Sequence, residues 1–381
     1  MLLKNGWVHD GLGNVQQMDI CIEDGMIVAV GKNLAGDGED ITGCHVLPGL
    51  VDMHTEWGIN GTATEIRPSS QDNNETSDPV TPELDVRYAF NGRAITVQQL
   101  PMFGITCVGV LPSDNNIFGG QAAAYVTDGV NPFRMMLKAG TGMKASVTRE
   151  VKAAYGKRGV APMTKMHIFH TFADMLRQAA EYDAEKGPRN EKLAALRRVI
   201  DGEMPLYIAA DGAEDRRHVM QILSAYDKVR VIFTVPFGLD EGDLMLDPER
   251  TAMIDGFCGM DCDPRGLNKR YDMLVGMMEK GIPVAISCMA GSMYGRETLM
   301  WEAGELGAYV QDAEKLISMM TSVPARLMGI GDITGSIEAG KRADIAIWSE
   351  NPVTSYRARV LRTMIAGKTV YREGDAKKCY I

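Results

Sequence analysis

Two hairpin-like stretches at opposite ends of the chain, each too small to bury its own apolar face, constrain this fold more than any other feature. Near the start, DICIEDGMIVAVG alternates apolar and polar residues and breaks at the acidic-Gly turn Glu23-Asp24-Gly25. That pattern predicts two antiparallel strands joined tightly. The other end repeats the texture in RADIAIWSENP and RVLRTMIAGKTVYREG. An isolated hairpin is marginal in water, so the two ends are expected to pack together as a small β-sandwich. The expected limits are 1–47 and 335–381 for this composite unit, with 48–334 forming a second one.

Inside those limits the texture changes. Apolar runs at 46–53, 104–112, 205–210, 229–235 and 282–287 read as strands. Between them FADMLRQAAEYDAEKG and EKLAALRRVIDG carry apolar residues at helical spacing and are rich in helix formers. Strands alternating with helices predict a parallel sheet with helices over it. At 381 residues, the chain is long enough for a closed (β/α)₈ barrel of roughly 250 residues plus an appendage. The longest irregular stretch, GINGTATEIRPSSQDNNETSDPVTPEL, follows the first barrel strand and is a candidate functional loop.

Composition removes whole classes of function. The 40 basic and 50 acidic residues give a formal charge of −10 without long runs of one sign, so neither nucleic acid nor an acidic membrane surface is an expected partner. No apolar run of about 18 residues and no leader-like h-region is seen, which sets the expectation of a cytoplasmic protein. A small-molecule ligand remains as the expected partner class.

Three ordered motifs narrow the fold. VLPGLVDMHTEWG (46–58) resembles the first barrel strand of the amidohydrolase superfamily, in its imidazolonepropionase-like and dihydroorotase-like branch, where a Pro-Gly entry leads to His-x-His. LPSDNNIFGGQAAAYVTDG (111–129) looks like a Gly-Gly-Gln segment of one bacterial subgroup, and SVPARLMGIGDITGSIEAGKRADIAIW (322–348) is similar to the superfamily's exit from barrel to sandwich. The resemblance implies an α/β fold, a (β/α)₈ TIM-like barrel with a β-sandwich built from both ends, and a metal-dependent hydrolase of non-peptide C–N bonds. In such enzymes imidazoles and a carboxylate hold a divalent ion whose bound water loses a proton near neutral pH.

The ligand positions depart from that pattern. His54 matches the first His of the pair, but Glu56 stands in place of the second. Ala209-Ala210-Asp211 replaces a His-containing strand end, Thr234 or Val235 stands where a His is usual, and Cys288-Met289 falls where Thr-Asp is expected. No metal is therefore the expected state, with a single zinc, iron or manganese ion on His54, Glu56 and Asp211 as the alternative. His54 and Glu56 are two apart on a strand and so share a face. Glu56 and Asp211 are the candidate acid–base residues. Arg67, Gln121, Cys288 and Met289 are the candidate substrate contacts, and Lys138 and Lys144 fall in a plausible stretch for a carboxylated lysine.

The functional expectation is accordingly a superfamily member whose ligand set is largely lost, non-catalytic or a binding and partner subunit. The alternatives are a hydrolase of cyclic-amide C–N bonds with an altered single-metal site, and a metal-free acid–base enzyme. A homo-oligomer or a complex with an active amidohydrolase relative is the expected assembly.

Overall fold

The computed structural model describes residues 1–60, 71–185, 187–234, 237–256, 264–288 and 298–375. Strands from both ends of the chain are hydrogen-bonded into one sheet. β1 (Leu2–His9), β2 (Val15–Glu23), β3 (Met26–Gly31), β4 (Glu39–Asp40) and β5 (His45–Pro48) come from the first fifty residues. β14 (Ile345–Trp348), β15 (Val360–Ile365) and β16 (Lys368–Arg372) come from the last forty. The order is β16-β15-β14-β5-β1-β2-β3, with β4 on β1, and the join between the two ends is the antiparallel pair β14·β5. The expected turn between β2 and β3 falls on Asp24 and Gly25, both at positive φ (48° and 81°), the geometry of a two-residue hairpin turn. Leu3, Val8, Ile20, Ile27, Val46, Ile345 and Met364 form the core of this sheet, drawn from both ends of the chain.

The barrel follows after Gly49, where a Cβ would come within 2.1 Å of the Thr106 side chain. Its strands are β6 (Leu50–Thr55), β7 (Ile105–Val110), β8 (Phe118–Val126), β9 (Met136–Ser146), β10 (Leu206–Ala209), β11 (Val231–Phe233), β12 (Thr251–Gly256) and β13 (Val284–Ser287), each beside the next in sequence. All expected barrel strands are present, and β8, β9 and β12 join them. The sheet is parallel except at β8, which runs antiparallel to both neighbours. Only seven residues link β7 to β8, too few for a helical crossover, so the chain can only turn back.

The helices are α1 (Ile95–Gln99), α2 (Pro132–Met135), α3 (Arg149–Gly156), α4 (Lys165–Glu181), α5 (Glu191–Ile200), α6 (Ala213–Leu223), α7 (Pro264–Glu279), α8 (Thr298–Val310), α9 (Ala313–Met319) and α10 (Ser322–Leu327). The expected helix after Thr171 starts earlier, because the Thr164 hydroxyl caps the amide of His167 and opens α4 at Lys165. α4 buries Ile168, Phe172, Leu176 and Ala179, one stripe at helical spacing. Along the strands Leu50, Leu206, Ile208, Val231 and Phe233 face this helical layer. Val51, Met53, Tyr207, Ile232, Ala252, Ile254 and Ala285 face inward and meet Ala325 and Met328, so that α10 and the residues after it close the barrel's N-terminal end. The mouth at the strands' C-terminal ends is left for polar residues.

No helix among the described residues is long and apolar enough to cross a membrane.

Candidate functional site

At that mouth four elements bring together a buried polar cluster. His54, near the end of β6, places Nε2 3.4 Å from Nζ of Lys144 on β9. Lys144 is fully buried; its ammonium pairs with the Asp114 carboxylate and donates to Thr234 Oγ1 at 3.3 Å. Asp114 comes from the β7–β8 loop, and Thr234 stands directly after β11. Strand parity explains the convergence. Tyr207 and Ile232 point inward, and Lys144 pairs in register with Tyr207 while Thr234 lies two past Ile232. On β6 the register shifts between Asp52 and Thr55, which lets His54 join the interior despite its parity with the outward Leu50.

Burial, first, and then the Lys144 charge push the His54 imidazole down to about 3, with Asp114 opposing. The ring is therefore neutral near pH 7, and Nε2 accepts from Lys144. Its proton then sits on Nδ1, which is buried without a hydrogen-bond partner among the described residues. Glu56, one residue beyond β6, accepts from Asn60 Nδ2 at 3.0 Å and Asn73 Nδ2 at 2.8 Å, both on Oε2. Burial pushes its carboxyl up to about 7; the Asn73 bond pulls against this and the Asp114 charge adds to it. Below the cluster, Asp52 bridges β6 to β13, accepting from Ser287 Oγ at 2.5 Å and Cys288 N at 3.1 Å, and burial raises its carboxyl.

The structure does not gather His54, Glu56 and Asp211 into one metal-binding group: among the described residues no three His, Cys, Asp or Glu side chains are grouped to hold an ion. Asp211 is drawn elsewhere. Its carboxylate accepts from the backbone N–H of Arg149, the first residue of α3, at 2.9 Å and lies 3.4 Å from Arg149 Nε and 3.5 Å from Lys165 Nζ. A helix N-terminus and two cations hold it better than a neutral imidazole would. At His54 the accepting nitrogen faces an ammonium group, which repels a second cation. With Lys144 as an ammonium, rather than in its carboxylated form, the described donors do not by themselves hold the divalent ion usual in the superfamily, and no chemical step is routed through a metal.

The other candidates are placed as follows. Gln121, a candidate substrate contact, lies on β8 and braces the outer ring. Its Oε1 accepts from Arg198 of α5 at 2.8 Å and its Nε2 donates to Pro82 O at 3.4 Å. Cys288, directly after β13, is buried in the cluster that faces the helices and donates its backbone N–H to Asp52 below the polar cluster. Lys138 donates to Gly329 O at the barrel base, away from the mouth. Three further histidines, His167, His170 and His218, are exposed on α4 and α6. Arg67 and Met289 lie outside the described residues. The residue that sequence reasoning missed is Asp114. Its signal was available: a carboxylate two residues past Pro112, directly beyond an apolar strand.

A family model described as "Amidohydrolase family" matches residues 209–370. Among curated proteins the chain is 52% identical over 58 residues to a dihydroorotase of Thermoanaerobacter sp. (strain X514), a match covering 14% of each chain. It is 24% identical over 425 aligned positions to a dihydroorotase of Lactobacillus acidophilus, covering 98% of this chain and 95% of that one. The match to the first relative thus spans only a small part of that protein. Among solved structures, an amidohydrolase from Thermotoga maritima MSB8 superposes with a TM-score of 0.87 over 97% of this chain and 99% of its own, at 23% identity, a likeness of fold. Residues 209–370 thus match the amidohydrolase family, and the whole chain shares the fold of the solved amidohydrolase.

Proposed function

We propose that this protein uses the amidohydrolase barrel as a small-molecule binding subunit, with a mouth rebuilt around an internal ion pair in place of a metal centre. The observation that carries this reading is Lys144, wholly buried, set between His54, Asp114 and Thr234. Burying an ammonium group is expensive unless it is paired, and Asp114 supplies the pairing. The His54 Nδ1–H, without a partner among the described residues, then asks for an acceptor, and Glu56 supplies an acceptor when ionised. A ligand offering one acceptor and one donor satisfies both, as the C=O and N–H of a cyclic amide do. Metal analysis of the purified protein by inductively coupled plasma mass spectrometry, beside His54→Ala, tests the reading. Far less than one metal per chain is expected in both; close to one zinc, iron or manganese that disappears in the variant would overturn it.

A second reading, hydrolysis of a cyclic amide, is favoured by one observation: a Glu56 carboxyl at about 7 both takes and gives a proton near neutrality. The matched relatives named dihydroorotase point to the same substrate class. Under this reading Glu56 moves the proton, His54 orients the substrate, and the Lys144 ammonium offsets charge developing on the amide oxygen. Turnover of dihydropyrimidine or hydantoin rings that is lost in Glu56→Gln would establish it. Absence of turnover in both proteins would leave the binding role. A homo-oligomer or a complex with an active relative remains the assembly we propose, tested by pull-down from the host.

A further inference from the structure

Away from the mouth, the N-terminal face of the barrel holds a cavity of about 360 Å³ between the starts of β10, β11, β12 and β13 and the end of α10. Its apolar lining includes Val231, Ile232, Ala252 and Leu327. Three arginines, Arg230, Arg250 and Arg326, also line it. None of the three forms an ion pair with a described carboxylate. Arg250 donates to the carbonyls of Val229, Leu223 and Tyr226, and Arg230 to Gly202 O at 3.3 Å. The Arg326 side chain makes no hydrogen bond or ion pair among the described residues, although its carbonyl accepts from Gly329 N. The lining's one carboxylate residue, Glu249, pairs with none of them.

Carboxylates outnumber cations in this chain, whose formal charge is −10, yet none pairs with these three arginines among the described residues. Several arginines elsewhere do find one: Arg87 pairs with Asp85, Arg177 with Glu181, Arg197 with Asp201, Arg216 with Asp243 and Arg362 with Glu39. Three like charges around one hollow repel one another, and a bound anion removes that repulsion. Guanidinium forks match phosphate oxygens, and several together favour a dianion over a monoanion. The apolar lining suits the body of the molecule that carries it.

We infer that this cavity is a second small-molecule site, which takes an organic phosphate monoester with a flat apolar body. It is independent of the chemistry at the mouth.

Isothermal titration of the full chain with phenyl phosphate, inorganic phosphate and benzyl alcohol tests this. Phenyl phosphate is expected to saturate below about 1 mM and at least about tenfold more tightly than either half alone, with affinity falling as salt rises. The double variant Arg230→Ala/Arg326→Ala removes only one intramolecular hydrogen bond, so its unliganded Tm should match the parent. Binding to it should weaken at least about tenfold. Lys144→Met should bind phenyl phosphate as the parent does. The proposal is overturned by benzyl alcohol binding equally well, by undiminished binding to the double variant, by loss of binding in Lys144→Met, or by no heat at millimolar ligand. None of these results bears on the metal content or turnover at the mouth.

Discussion

Two buried ion pairs, one behind the barrel and one inside it, are built differently. Arg216 on α6 is held by the Asp243 carboxylate through Nε and Nη2, both at 2.7 Å, and donates further to Phe237 O and Gly238 O at 2.9 and 3.1 Å. Asp243 in turn accepts from Asp240 N at 3.0 Å, and both side chains are almost wholly buried. Lys144 has one carboxylate, an imidazole at 3.4 Å and a hydroxyl at 3.3 Å, and its partner Asp114 keeps 28% of its side chain exposed. The first pair is closed on itself and fastens α6 to the loop after β11. The second has one close carboxylate, two long contacts and one partly open side.

That contrast can be broken by measurement. Arg216→Met leaves Asp243 buried without its counter-ion, and chemical unfolding should show a loss of about 3–5 kcal/mol. The next effect concerns Glu56. Its folded-state carboxyl is raised from 4.5 to about 7, so its contribution is fully present below pH 4.5 and fades as pH rises through 7. Unfolding free energies measured from pH 4.5 to 8 should therefore fall by up to about 3 kcal/mol from this group, and Glu56→Gln should flatten that slope. A variant with the parent's slope would show that Glu56 is not the titrating group. The smallest effect is expected at Lys144→Met: methionine fills the space and half-open Asp114 rehydrates, so about 1 kcal/mol is lost. A loss equal to that of Arg216→Met would erase the distinction between the two pairs.

Much of the scaffold could be read from the chain because its signals are local. Apolar β-branched runs such as VIF and VAIS and the capped, amphipathic α4 and α5 announce themselves. β8 and β9 do not: FGGQAAAYV and MLKAGTGMKAS are built from glycine and alanine, whose strand tendency is low, and the neighbouring strands impose extension on them. The site divides in the same way. His54 and Glu56 are legible from a motif and a period of two. Asp114 and Lys144 are 30 residues apart in sequence and meet only because β8 doubles back between them. Asp211 was legible as a strand-end carboxylate, yet its capture by Arg149 and Lys165 depends on where α3 and α4 begin, which no local pattern encodes.

The shared sheet at the ends of the chain also sets an order of events during synthesis. β5 pairs with β14, and about 300 residues of barrel separate them, so the N-terminal hairpin waits for its neighbour for roughly 15–60 s at ordinary translation rates. Throughout that interval the β5 edge stands open as the ribosome works, a template for any other extended segment nearby. A nascent chain of this protein is thus most exposed to mispairing just before its last forty residues emerge, and shortening that wait, for example by circular permutation that places β14 before β5, should raise the yield of folded protein.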